Sequence, residues 1–320
     1  MTTTGTNTAR PHPNWFTRFW AVVRYEMLWN IRKKKFIGII ILSFVFATLG
    51  LILPVVLSST PIEANPDYVI GVSMSSFAFF LFALGTVMNS ISSEFESGTI
   101  VPLLTKPVSR TMVFLGKLFA AFIIILMAYT ILYVYTVVGG ILIYGPQNNL
   151  YLMPLALLGD VISTFFWVSL ILAMGALSKN TMIAALVGLG VFLALLIAMP
   201  IVSVFAGPSP ALNYVPGSGA GSGSNAMLNL ATEAKAIGTG TDNIGVNLIN
   251  WMLYPSANVS FTKIDLTTIQ VGQSTELAQT VVYTEPISVV ALRSLGIALA
   301  YIFVFLFIGW FAFKRTQILE

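Results

Sequence analysis

Apolar residues along this chain fall into six long, nearly unbroken runs: Phe36–Leu57, Val69–Ile91, Leu118–Tyr144, Leu152–Leu177, Met182–Ala206 and Ile287–Phe313. Each exceeds the roughly 18 residues that separate a membrane-crossing stretch from a buried core helix. In hydrocarbon every backbone N–H and C=O has to bond within its own segment, so runs of this kind are helices. The pattern predicts an all-α integral membrane protein with six transmembrane helices. Residues 36–206 hold the first five spans, and residues 287–320 hold the sixth with a short tail.

The polar residues between the runs orient them. Arg10, Arg18, Arg24, Arg32, Lys33, Lys34 and Lys35 precede span one. Lys106, Arg110 and Lys117 lie between spans two and three, Lys179 between four and five, and Lys314 and Arg315 after six. The two short loops on the opposite side, Ser58–Tyr68 and Gly145–Tyr151, contain neither lysine nor arginine. Lysine and arginine accumulate on the cytoplasmic side. Both termini are therefore expected in the cytoplasm, in a plasma-membrane protein.

One outer segment is large, residues 207–286. It opens with a Gly/Ser tract, Gly217–Ser224, of the kind that forms flexible linkers. Mildly helical stretches follow at Asn225–Ile237 and Ile244–Leu253, and Asn258-Val259-Ser260 matches a glycosylation sequon. A plain connector of such length is uncommon, so a small outer cap is expected.

Two cytoplasmic elements carry more pattern than a loop needs. Residues 1–35 form a tail in which Phe16, Phe19, Trp20, Val23, Met27 and Ile31 recur at helical spacing, with Arg18, Arg24 and Arg32 opposite and Asn14 placed to cap. An apolar aromatic face with a basic reverse suits a helix lying in the membrane interface. Residues 92–117 join spans two and three. Glu94 and Glu96 open this segment, and Gly98, Thr99 and a short apolar stretch follow. Lys106-Pro107 breaks the chain, and Ser109 caps a new helix that runs through Arg110 and Lys117 into span three. A short, charged, capped element at a membrane mouth suits docking to a soluble partner.

Composition narrows the function. Only 9% of residues are charged, against roughly 25% in soluble domains. No basic face for nucleic acid stands out. There is no cysteine, and the one histidine, His12, lies in the polar tail, so neither a thiolate metal site nor a histidine-based catalytic centre can be built in the spans. No phosphate-binding loop of the G-x-x-x-x-G-K-[ST] kind occurs. Catalytic, cofactor and metal sites are accordingly not expected, and no cofactor is implied. Inside the spans the charges are Asp160 and Arg293, both near the outer ends of spans running in the same direction. A charge in lipid is a functional candidate by default, and these two are expected to form an ion pair, the alternative being separate snorkelling at the interface.

The string Glu94-Phe95-Glu96-Ser97-Gly98-Thr99, then Leu103-Leu104, Lys106-Pro107-Val108-Ser109-Arg110 and Lys117, resembles the coupling region of type-two ABC permeases. Within that family it is most similar to the multicopper-enzyme-maturation branch. The layout agrees: an interfacial leading helix, six spans, an element after span two and a large outer loop before span six. The resemblance implies a permease subunit of an ATP-driven exporter. A separate ATPase chain would couple through Glu94, Glu96, Gly98, Thr99, Lys106, Pro107, Ser109 and Arg110, and a second permease chain would complete a homo- or heterodimer in the bilayer. The alternatives are an ion-coupled secondary transporter, which usually carries more ionisable groups near midplane, and a non-transporting scaffold or immunity subunit.

Overall fold

The computed structural model describes residues 14–32, 34–57, 66–71, 75–96, 108–222, 225–231, 233–264 and 279–315. Among these, six helices are long and apolar enough to cross a membrane: Phe36–Leu57, Ser76–Glu96, Arg110–Tyr144, Leu150–Ser178, Thr181–Phe205 and Ile287–Arg315. Spans two and four form the centre, 61% and 72% buried over their most apolar stretch. Spans one, five and six are only 17%, 22% and 11% buried there and form the periphery. Large aromatics fill the centre. Phe79, Phe80 and Phe82 of span two meet Tyr129 of span three and Phe166 and Trp167 of span four.

The caps explain where the helices begin. Ser75, Ser109 and Asn180 each precede a span and accept a hydrogen bond from the backbone N–H three residues on, those of Ala78, Met112 and Ile183. Span two starts at Ser76 rather than Val69, because Tyr68–Gly71 is a separate helical turn. Its main helix ends at Val87, and after a turn Ser92–Glu96 makes one further short helix. Span three starts at its Ser109 cap, so its first two turns precede the apolar run that began at Leu118. Lys117 thus lies inside a helix.

The leading helix, Trp15–Ile31, lies against the first turns of span three. Gly116 permits that approach: a β-carbon there would fall 2.7 Å from Val22 Cγ1. Its buried face is Val23, Glu26 and Asn30, whereas Phe16, Trp20 and Ile31 of the expected stripe are exposed. Asn14 stands at the cap position without a side-chain cap bond.

The described residues between spans five and six form a small cap. Strands β1 (Ala226–Asn229), β2 (Ala234–Ala236), β3 (Asn258–Ile264) and β4 (Gln279–Pro286) form an antiparallel sheet in the order β2-β1-β3-β4. Asn225–Ile237, expected to be helical, is instead β1, the turn and β2. Pairing Met227 with Ser260 and Leu228 with Val259 on the distant β3 overrides a weak local preference. Ile244–Leu253 is a helix, as expected. It crosses span four at two glycines: a β-carbon on Gly159 would fall 2.2 Å from the Gly245 nitrogen. β4 runs without a loop into span six, and the sheet interior of Leu228, Val259 and Phe261 is closed by Ile287 and Val290 of that span.

Candidate functional site: the segment between spans two and three

Residues 97–107, with the expected coupling residues Gly98, Thr99, Lys106 and Pro107, lie outside the described residues. The two flanks of that segment are described, and both are fastened to several helices at once.

On the entry side stands Glu94. Lys117 Nζ lies 2.7 Å from Glu94 Oε1 and 2.5 Å from Glu26 Oε1. One lysine therefore joins the short helix after span two, the leading helix and span three. The lysine side chain is 2% exposed and the two acids 6% and 16%. Among the described residues the cluster is a buried triad of two acids and one base, and Glu94 Oε2 has no hydrogen-bond partner there. Taking such charges out of water is tolerable only while each has its counter-charge.

Glu96 reaches elsewhere. Its Oε1 accepts from the backbone N–H of Thr181, 2.8 Å away, at the first turn of span five. Ser92 and Thr181 hydroxyls also meet, at 2.9 Å. A carboxylate at a helix N-terminus satisfies a donor that has no intrahelical partner and opposes the positive end of the helix dipole.

On the exit side Arg110 Nη1 donates to the Lys314 carbonyl at 3.1 Å, one of the last carbonyls of span six. Trp310 Nε1 donates to Thr111 Oγ1 at 3.2 Å, and Phe313 packs against Phe95 and Phe114 with ring centroids about 6 Å apart. Ser109 is exposed, its side chain spent on the cap.

The outer charges resolve differently from expectation. Arg293 pairs with Glu285, not Asp160: its two terminal nitrogens sit 3.0 and 2.6 Å from the two carboxylate oxygens. A helical side chain leans toward the N-terminus of its helix, and Glu285 stands there, on the strand that runs straight into span six. A guanidinium matches a carboxylate with two parallel bonds, so this pairing is geometrically favoured. Asp160 is buried and accepts from the Tyr133 hydroxyl at 2.6 Å, beside the crossing of the cap helix.

Compared with known proteins, residues 20–318 match the family model described as ABC-2 family transporter protein. No curated protein matches the chain. The chain belongs to the ABC-2 transporter family.

An ABC-2 protein is a membrane permease component of an ABC transporter and carries no ATPase site of its own. In this ABC-2 chain the resemblance read from Glu94 to Lys117 led to the right family, and the multi-pass arrangement agrees with it. The resemblance did not reveal Glu26, Thr181 or the span-six carbonyl as partners. Glu26 left a trace in the sequence, an acid interrupting the otherwise apolar and basic leading helix. Thr181 and Lys314 act through backbone atoms, which no side-chain pattern announces.

Proposed function

We propose that this chain is the permease of an ATP-driven exporter, in which a separate ATPase seats on the segment between spans two and three. The supporting observation is the fastening of that segment's flanks. A push or tilt at residues 97–107 would reach span three and the leading helix through Glu94 and Lys117. It would reach span five through Glu96 and span six through Arg110. Glu94, Glu96 and Arg110 are each already bonded within the chain to a helix other than their own, so their part is transmission. Contact with the ATPase then falls to exposed Ser109 and to Gly98, Thr99, Lys106 and Pro107. A second permease chain, identical or related, would complete the assembly, with both termini in the cytoplasm and the cap outside the plasma membrane.

The deciding experiment is co-purification of an ATPase with the tagged full chain in lipid, followed by variants of two kinds. Lys106→Glu with Ser109→Glu is expected to reduce ATPase recovery. Glu96→Ala is expected to leave recovery intact while lowering transport per ATP hydrolysed. Failure of any ATPase to co-purify, or loss of recovery with Glu96→Ala alone, counts against the scheme. Orientation is checked by cysteines at Ser109 and Glu233 in intact cells. Glu233 should label from outside and Ser109 only after permeabilisation.

A further inference from the structure

We propose that the cavity between the cap and the outer ends of spans two, four and five binds the cationic head of an amphiphile. The space is about 50 Å³, enough for a few waters or one substituted ammonium group but not for a whole amphiphile. Asp242 of the cap forms its polar wall, 5% exposed and accepting from Ser76 Oγ of span two at 2.5 Å. It is the only ionisable group among the residues that line the space. Among the described residues no base pairs with this buried carboxylate, and the cavity leaves room beside it for a positive charge.

The rest of the wall decides which cation. Trp167 of span four and Phe192 of span five meet at 5.4 Å between ring centroids. An acid beside aromatic rings is the chemistry that recognises an alkylated ammonium, through ring faces and charge together. A metal ion is poorly served, since calcium takes six to eight oxygens and magnesium a regular octahedron. An anionic head would face the carboxylate, and an uncharged one would leave it unpaired. The indole N–H of Trp167 is buried and finds no acceptor among the described residues, so the wall holds one unanswered donor as well. A water or an oxygen on the ligand would satisfy it. Leu196, 51% exposed, and Met199 continue the wall along span five. That gives an alkyl tail a path from the cavity into lipid.

Burial pushes the Asp242 carboxyl up to about 6, opposed only by the Ser76 bond. The acid is therefore charged at neutral pH and discharged in mild acid, which supplies a test that needs no mutation.

The experiment is equilibrium binding of radiolabelled decyltrimethylammonium, at micromolar concentration, to the full chain in zwitterionic lipid nanodiscs, with empty discs as background. Saturable binding is expected near neutral pH. It should weaken about tenfold or more in Asp242→Asn, and in the native chain as the pH falls below the Asp242 pKa. Trp167→Phe should weaken it less, and decanol should not compete. Absence of saturable binding overturns the proposal, as does equal displacement by decanol. Unchanged affinity in a folded Asp242→Asn variant overturns it too. Should that variant not fold, a pH-independent native affinity overturns it instead. No ATPase takes part, so failure of the export reading leaves this outcome separate.

Discussion

Lys117→Met isolates what the buried triad contributes. Among the described residues the lysine is the only cation within bonding distance of Glu26 and Glu94, at 2.5 and 2.7 Å, and it is almost wholly enclosed. Methionine keeps the length and the packing while removing the charge, so two carboxylates are left side by side without a partner. Removing one member of a buried pair typically costs about 3–5 kcal/mol, much of it from the charge left behind. For a chain of this size that corresponds to a fall in thermal midpoint on the order of 10 °C. The acids answer differently. Glu94→Gln or Glu26→Gln leaves one lysine with one carboxylate, a balanced pair, and should lower the midpoint by a few degrees at most. The triple variant Lys117→Met, Glu26→Gln, Glu94→Gln should recover most of the loss, since no net charge remains buried. Thermal midpoints of these variants in one detergent decide the matter. A triple variant as unstable as Lys117→Met would mean that packing, not charge, holds the three helices together.

Other perturbations test other parts of the structure. Asp242 titrates from its ordinary 3.8 up to about 6 when folded. Its contribution to stability is therefore full below about pH 4 and lost as the pH rises through about 6, leaving the charged form roughly 3 kcal/mol less favourable at neutral pH. Asp242→Asn should raise the thermal midpoint near pH 7.5 and flatten its pH profile between these limits. Arg293→Gln and Glu285→Gln should show a coupling of about 1–2 kcal/mol in a double-mutant cycle, whereas Arg293→Gln and Asp160→Asn should add. Non-additivity of the second pair would restore the tie between spans four and six. Gly245→Ala places a β-carbon 2.7 Å from the Ala156 carbonyl oxygen, so the cap helix must lift from span four at a cost of about 1–3 kcal/mol. Faster proteolysis within the cap, with the spans intact, is the expected readout.

The spans were legible because lipid imposes a constraint that composition alone can express. Their starts were less so. Span three begins two turns before its apolar run, since Ser109 and Lys117 are helical for reasons of capping and pairing rather than hydropathy. The sheet in the cap was not legible, because β1 is specified by its partner β3 some thirty residues on, and short mixed stretches such as Ala226–Asn229 carry no period of their own. The ion pair of Arg293 was misread by treating its own span as the whole field of partners. The carboxylate that serves it lies two residues before that span, in what looked like loop. Glu94 stood out in the sequence as an acid after span two, but the lysine that ties it to Glu26 of the leading helix became visible only once Gly116 had let that helix close on span three.

Span six joins the two ends of this structure. It is one uninterrupted helix of 29 residues, about 43 Å long at 1.5 Å per residue. At its C-terminal end the Lys314 carbonyl is held by Arg110 and Phe313 is held among Phe95 and Phe114. At its N-terminal end it continues β4, is clamped to it by Arg293 and Glu285, and closes the sheet with Ile287 and Val290. A helix without a proline or a break transmits tilt as a rod does, because its hydrogen bonds are internal and bending requires an identifiable weak point. Spans one and five each contain such a point, at Pro54 and Pro200, and span six has none. In the proposed export cycle, displacement of the coupling segment would therefore reach the cap along span six with least loss. It would reach span five, through Glu96, at a helix able to bend at Pro200. Pro200 and Asp242 line the same cavity. In that cycle the rigid rod would move the cap and the hinged helix would move the wall beneath it, so the cavity between them is where the two motions would differ.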